Sequence, residues 1–555
     1  MKTISIIFAC LSIFVTDIFA QSTSVKNTAK SVFTLTTFGK DGSIIASSHG
    51  VFTGSDGQAI SSWSPFIGAA SAVVIDSKGE KMNVEAIIGA NELYDVCKFR
   101  VAGKTVPAAI ASAPVAVNGN AWIVGYSTQK PVLSQITVQR IEKFMDKYSY
   151  YVFSNTVPEN LSSCPIVNQN GQVIGLLQHS KSNTDVCATD ANYINSFILS
   201  GLTINDPALK QTDIRTALPD KQEDALVTLM LAGQQKDSVQ YVQYVSEFIK
   251  KFPTSVDGYN ALAQTEVEAN KFDDAAANME KAIKLCTKKD EAHSSYSKLI
   301  YQKEIYKSDK PYAAWSFDRA LDEAKQAYAI NPLPVYQHQQ AQIIFSKGDY
   351  QQAFNMFIEL CKTPLRNGEL FYEAAQCKAQ LKAPHTEILA LIDSAIKACP
   401  QPLNSVAAPY VLARGAEWEA QNDYRKAVAD YNLYDSLMYG RPISSQFYYT
   451  REQCELQIHQ YQQALNDISR AIIMTPGEPT YWAEKASVHL RVNQQADAIK
   501  SAQRCIQLAP QYADGYVILG LAQIQSKDKV NGLQNLEKAK ELGDTRADEL
   551  IKKYK

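Results

Sequence analysis

The chain has 555 residues, 46% of them hydrophobic and 20% charged, with 55 Lys and Arg against 57 Asp and Glu. That length exceeds a single hydrophobic core and predicts several domains, while the composition excludes a disordered chain. A formal net charge of -2 supplies no basic field, so neither nucleic acid nor an anionic membrane surface is an expected partner.

Residues 1–20 read as a cleavable signal peptide. Lys2 precedes the mostly apolar run Ile4 to Val15, and Ile18-Phe19-Ala20 offers a small residue for cleavage before Gln21. Ile7-Phe8-Ala9-Cys10 has the form of a lipobox but leaves a short apolar segment. No later run approaches the roughly 18 apolar residues of a membrane span. The expectation is an exported chain without a transmembrane segment, periplasmic or secreted. Of the cysteines beyond Cys10, six (Cys286, Cys361, Cys377, Cys399, Cys454, Cys505) stand singly in helical sequence and read as small buried hydrophobes. Cys164 and Cys187 are candidates for a disulfide in an oxidising compartment. No Cys-x-x-Cys or His/Cys cluster has metal-ligand spacing, so no metal and no cofactor are expected.

From Ser31 to Leu202 short β-type runs alternate with turns. Ser31–Thr37, Gly50–Thr53, Ala72–Ile75, Val84–Ile88, Ala121–Val124 and Gln172–Gln178 read as strands, separated in places by Asp41-Gly42, Asp56-Gly57, Asn118-Gly119 and Asn170-Gly171. Residues 21–204 are therefore assigned to an all-β domain. The polar stretch 205–221, with Pro207 and Pro219, reads as a linker. Beyond it helix formers take over, and 222–555 is assigned to a repeat array of about nine helix pairs.

The clearest repeats end at Pro476 and Pro510, 34 residues apart, a spacing shared by Ala464 and Ala498 and by Trp482 and Tyr516. Gly415, Ala427 and Tyr434, and then Gly520, Gly532 and Ala539, hold equivalent positions. Small residues let two helices close on each other, large ones fill the groove, and proline ends the pair. These residue types at this period resemble the tetratricopeptide repeat (TPR). The resemblance implies a curved solenoid that takes a protein or peptide ligand in its concave groove. Candidate groove residues on the first helices of the pairs are Tyr448, Glu452, Glu455, Trp482, Lys485 and His489.

In the β half, Ser162-Ser163-Cys164-Pro165-Ile166-Val167 followed by Gly171-Gln172-Val173-Ile174-Gly175 resembles the nucleophile loop and following hairpin of chymotrypsin-fold serine proteases, the bacterial Deg/HtrA-type enzymes in particular. The resemblance implies a double β-barrel and places Ser162 at the nucleophile. Asp95, in Tyr94-Asp95-Val96-Cys97, matches the aspartate that orients the catalytic histidine. The histidine position falls on Ser64, or on Trp63 with a one-residue shift. Asn160, Ser163 and Cys164 replace glycines of the loop. Serine becomes nucleophilic only beside a base that takes its proton. His49 and His179 are the two histidines of this half that a displaced triad would use, and Cys164 is an alternative nucleophile. His293, His338, His385, His459 and His489 belong to the repeat half, where helix-surface or inter-repeat roles are expected.

Two functions follow. One is an exported scaffold in which an inactive trypsin-like domain is fused to a TPR array that binds proteins in a bacterial cell envelope. The alternative is a serine endopeptidase with a displaced base whose array recruits substrates.

Overall fold

The computed structural model describes residues 23–126, 131–154, 161–178, 186–235 and 237–555. Residues 1–20, Asn160 and His179 fall outside that set. Two compact units divide at Lys288 and Lys289.

The first unit opens with twelve strands in two closed barrels. Strands β1 (Val32–Phe38), β2 (Ile44–Phe52), β3 (Gln58–Ser61), β4 (Ser71–Ile75), β5 (Lys81–Asn91) and β6 (Val96–Val101) close in the order 1-2-3-6-5-4. The second barrel, β7 (Asn120–Tyr126), β8 (Pro131–Phe144), β9 (Tyr148–Phe153), β10 (Pro165–Val167), β11 (Val173–Gln178) and β12 (Val186–Asp190), closes as 10-11-12-9-8-7. All the pairings between strands within them are antiparallel. Closure removes the sheet edges that would otherwise offer unpaired backbone groups. Period-2 alternation is visible in β1, where buried and half-buried residues alternate from Phe33 to Phe38. Phe33, Phe52, Trp63, Phe66 and Phe99 fill the first barrel, and Ile123, Val138, Tyr151, Phe153 and Ile166 fill the second. A third cluster, with Val51, Ile60, Tyr94, Val124, Val173 and Tyr193, joins the two barrels. Tyr94 fastens that seam, donating its hydroxyl to the Ser149 carbonyl at 2.6 Å and accepting from the Asp190 amide at 2.7 Å.

Residues 205–221 are packed against the first barrel. Leu209, Ile214, Ala217 and Leu218 are buried. The Ile87 amide donates to the Arg215 carbonyl at 2.9 Å, and the Ala217 amide donates to the Ile87 carbonyl at 2.7 Å. Four helices follow in this unit: α1 (Gln222–Gly233), α2 (Ser238–Lys251), α3 (Val256–Glu268) and α4 (Phe272–Leu285). Glu247 on α2 pairs with Arg215 at 2.5 Å and Arg100 at 3.5 Å, and Tyr244 meets Thr216 Oγ1 at 2.7 Å. These half-buried and buried contacts hold α2 to the barrel, so the first compact unit includes two helix pairs.

The second unit is all helical. It runs through α5 (Lys289–Tyr306), α6 (Phe317–Ile330), α7 (Pro334–Ser346), α8 (Tyr350–Leu360), α9 (Gly368–Gln380), α10 (His385–Lys397), α11 (Ala408–Ala420) and α12 (Tyr424–Leu437). It continues through α13 (Ser445–Gln457), α14 (Tyr461–Met474), α15 (Pro479–Arg491), α16 (Gln495–Leu508), α17 (Ala513–Gln525), α18 (Lys529–Glu541) and α19 (Ala547–Tyr554). Each odd-numbered helix up to α17 packs on the next as a hairpin, and consecutive hairpins stack. With the two pairs of the first unit, the described residues hold the nine pairs that the sequence period predicts. The small-residue logic is visible at Gly520 and Gly532. A Cβ on Gly520 would lie 2.8 Å from the Gly532 carbonyl, and one on Gly532 would lie 2.7 Å from the Gly520 carbonyl. Only glycine lets α17 and α18 approach so closely.

Candidate functional site

In the first barrel β3 pairs with both β2 and β6. The turn that follows β3 therefore lies beside the residue that precedes β6. That residue, Asp95, adopts the left-handed region at φ 47°, which aspartate tolerates better than most side chains. Its carboxylate accepts the Ser64 amide at 2.7 Å and the Ser64 hydroxyl at 3.3 Å. The two residues placed at the base and orienting positions are thus in direct contact. Trp63 instead points into the barrel core, fully buried and stacked on Phe66 with ring centroids 6.0 Å apart. The residue held by Asp95 is a serine, whose hydroxyl does not accept a proton near neutral pH.

Ser162 precedes β10, and its recorded polar contacts run through its backbone carbonyl. Its carbonyl accepts the His49 amide at 3.2 Å, and His49 Nδ1 lies 3.3 Å from the same carbonyl. Burial holds the His49 imidazole below its ordinary pKa, partly opposed by that contact. The ring faces the Ser162 backbone, and among the described residues no base contacts the Ser162 hydroxyl. Ser163 takes the left-handed conformation at φ 65°, where glycine is the usual residue. Its buried hydroxyl donates to Ser62 Oγ at 2.8 Å, and its amide donates to the Leu177 carbonyl at 2.9 Å. The loop is therefore anchored from the side chain as well as the backbone. Burial pushes the Cys164 thiol up to about 12, far from the thiolate that a nucleophile requires. Cys164 and Cys187 are both buried thiols.

The candidate groove residues have separate environments. Glu452 is fully buried on α13 and Glu455 nearly so, and among the described residues each keeps one carboxylate oxygen without a hydrogen-bond partner. Burial, reinforced by the Glu484 charge, raises Glu452 to about 8. Burial and then Asp467 raise Glu455 to about 8, against the opposing charges of Arg451 and Arg470. Tyr448 is half-buried, its ring lying 5.7 Å from the Arg451 guanidinium and 5.5 Å from that of Arg470. Trp482 donates its indole N–H to the Pro476 carbonyl at 3.0 Å. Lys485 and His489 share a cleft of about 480 Å³ with Gln462, Asn466, Asp497 and Lys500. His489 Nδ1 lies 2.6 Å from Gln494 Oε1.

The repeats also carry an ionic element that their sequence period does not announce. Arg451 on α13 binds Asp467 on α14 through two nitrogens, at 2.5 and 2.9 Å, and reaches Asp435 on α12 at 3.0 Å. Arg414 on α11 binds Asp430 on α12 the same way, at 2.8 and 2.7 Å, and reaches Asp393 on α10 at 2.7 Å. Each arginine precedes its bidentate aspartate by 16 residues. That recurring offset was the available signal.

Two closed six-strand antiparallel barrels joined to a solenoid of helical hairpins define the class: a barrel domain with TPR-like repeats, the barrels fitting a chymotrypsin-like fold. Among curated proteins the chain is 30% identical over 80 residues to "E3 ubiquitin-protein ligase CHIP" of Arabidopsis thaliana, a match covering 14% of this chain and 29% of that protein. The chain thus spans less than a third of the relative it matches. No protein-family profile matches the chain. Among the described residues no helix is long and apolar enough to cross a membrane.

Proposed function

We propose that the chain is a protein-binding scaffold in which the TPR-like array takes a protein or peptide ligand and the barrel domain has lost peptidase activity. The observation that carries this reading is Ser64 in the grip of Asp95. The residue oriented for proton abstraction has no basic atom, and the Ser162 hydroxyl has no base against it among the described residues. Removing one member of such a triad costs several orders of magnitude in turnover. The leader-like residues 1–20 support export to a periplasmic or extracellular space. Recognition by the array would draw on a few anchors rather than on its whole surface, and Tyr448, Trp482, Lys485 and His489 are the half-buried candidates.

A second reading is a serine endopeptidase using a displaced base. The observation favouring it is His49, whose ring already touches the Ser162 backbone. The two are separated by capture experiments from the envelope and extracellular fractions of the source cells, using the full chain as bait. The scaffold reading expects a partner captured equally by wild type and Ser162→Ala and lost with Lys485→Glu combined with Trp482→Ala. Retention of a protein only by Ser162→Ala, as for a trapped substrate, favours the peptidase.

A further inference from the structure

The second unit holds three histidine–carboxylate contacts, and one differs from the others. His293 meets Glu323 at 2.6 Å, and the Arg319 guanidinium also contacts that glutamate at 2.6 Å. His385 meets Glu417 at a half-exposed contact. His338, on α7, lies with Nε2 2.6 Å from Glu373 Oε2 on α9. Glu369 stands one turn before Glu373 on the same helix face, and the ligating atoms of His338, Glu369 and Glu373 all lie within 4.8 Å of one another. Among the described residues no lysine or arginine pairs with either glutamate.

We propose that His338, Glu369 and Glu373 form a binding site for a divalent transition-metal ion of the zinc class, bridging the first helices of two consecutive hairpins. One imidazole nitrogen and two carboxylates make a donor set suited to zinc, manganese or iron rather than the all-oxygen shell of calcium or magnesium. The side chains of His338 and Glu373 are each only 14% exposed, so their positions are fixed by packing. The other oxygen of Glu373 accepts from Gln342 Nε2 at 2.7 Å, an outer-shell contact that orients the carboxylate. Glu369 is exposed and gives the ion a path from solvent. Without a cation, two carboxylates at i and i+4 repel each other. A bound ion removes that repulsion and pins α7 to α9, while its remaining coordination positions stay open to water or to an electron-pair donor on a ligand. Histidine and cysteine spacing does not reveal such a site, because its ligands come from two helices, 35 residues apart between His338 and Glu373.

The test uses the full-length chain without a histidine tag, stripped with a chelator and titrated calorimetrically with zinc chloride, with manganese, calcium and magnesium as separate arms. Cobalt(II) adds a visible-absorption readout of coordination. One equivalent of zinc is expected, with a raised thermal midpoint. Glu369→Gln, an exposed change that leaves the His338–Glu373 contact in place, and His338→Gln are each expected to weaken binding at least tenfold, with circular dichroism unchanged for Glu369→Gln. Gln342→Leu is expected to weaken it by about 10- to 100-fold, as outer-shell changes do. Absence of stoichiometric zinc binding by the wild type, or affinity unchanged in both Glu369→Gln and His338→Gln, overturns the assignment.

Discussion

Glu452→Gln is the most informative single change in the repeats. The carboxyl is fully buried, one of its oxygens has no partner among the described residues, and its pKa is raised from 4.5 to about 8 by burial and by the Glu484 charge. The unfolded chain releases this proton near 4.5, whereas the folded chain holds it until about 8. Between those values the native state binds more protons than the unfolded state, so stability falls as pH rises through that window. A tenfold difference in proton affinity between the two states is worth about 1.4 kcal/mol, and an isolated carboxyl held this way would forfeit about 3 kcal/mol by pH 7. Coupling to Glu455 and Glu484 makes single changes non-additive, so we expect a gain on the order of 1–3 kcal/mol for Glu452→Gln at pH 8 and little difference at pH 4.5. The amide keeps an acceptor for Gln453 Nε2, which now donates to Glu452 Oε2 at 2.6 Å. For a unit of this size the gain is worth roughly 3–10 °C in the midpoint of the array's transition. Calorimetric scans of both proteins from pH 4.5 to 8.5 read it directly. A variant curve parallel to wild type, or a variant less stable at pH 8.5, refutes the placement of a neutral carboxyl at Glu452.

Other substitutions follow from the same contacts. Arg451→Met strands the buried carboxylate of Asp467 and is expected to cost about 3–5 kcal/mol in urea unfolding, while Arg414→Met, at a more exposed pair, costs less. Gly520→Ala forces a Cβ to 2.8 Å from the Gly532 carbonyl and is expected to cost about 1–3 kcal/mol, read as a lowered midpoint. Ser163→Ala leaves φ at 65° and removes the partner of the buried Ser62 hydroxyl, at a cost of about 1–3 kcal/mol to the barrel transition.

The fold was legible where the sequence repeats a simple physical constraint. The 34-residue spacing of alanine, aromatic and proline positions marks the hairpins because each must bury the same face against its neighbour. The six strands read from the sequence overlap β1, β2, β4, β5, β7 and β11, all bearing the apolar runs that fill the barrels. Strand β8 was missed because much of Pro131–Phe144 is exposed or half-buried, so Gln135, Gln139, Arg140 and Lys143 hide its alternation. At the position matched to the catalytic histidine, spacing alone left Ser64 and Trp63 as competing matches. The difference between them is three-dimensional: Trp63 is needed to fill the barrel, and Ser64 is left beside Asp95. The burial of Glu452 was equally hidden, since a glutamate on a first helix reads as a surface residue until its neighbours are known. The His338 cluster is assembled by stacking, which no local motif encodes.

A fluorophosphonate probe reads whether the barrel domain still activates Ser162. Full-length wild type and Ser162→Ala are exposed to the probe near neutral pH, and modified peptides are mapped by mass spectrometry. No covalent adduct is expected at Ser162, and probe incorporation is expected to be identical in the two proteins. An adduct on Ser162 that forms in the wild type and disappears in Ser162→Ala would show an activated nucleophile and overturn the loss of peptidase activity.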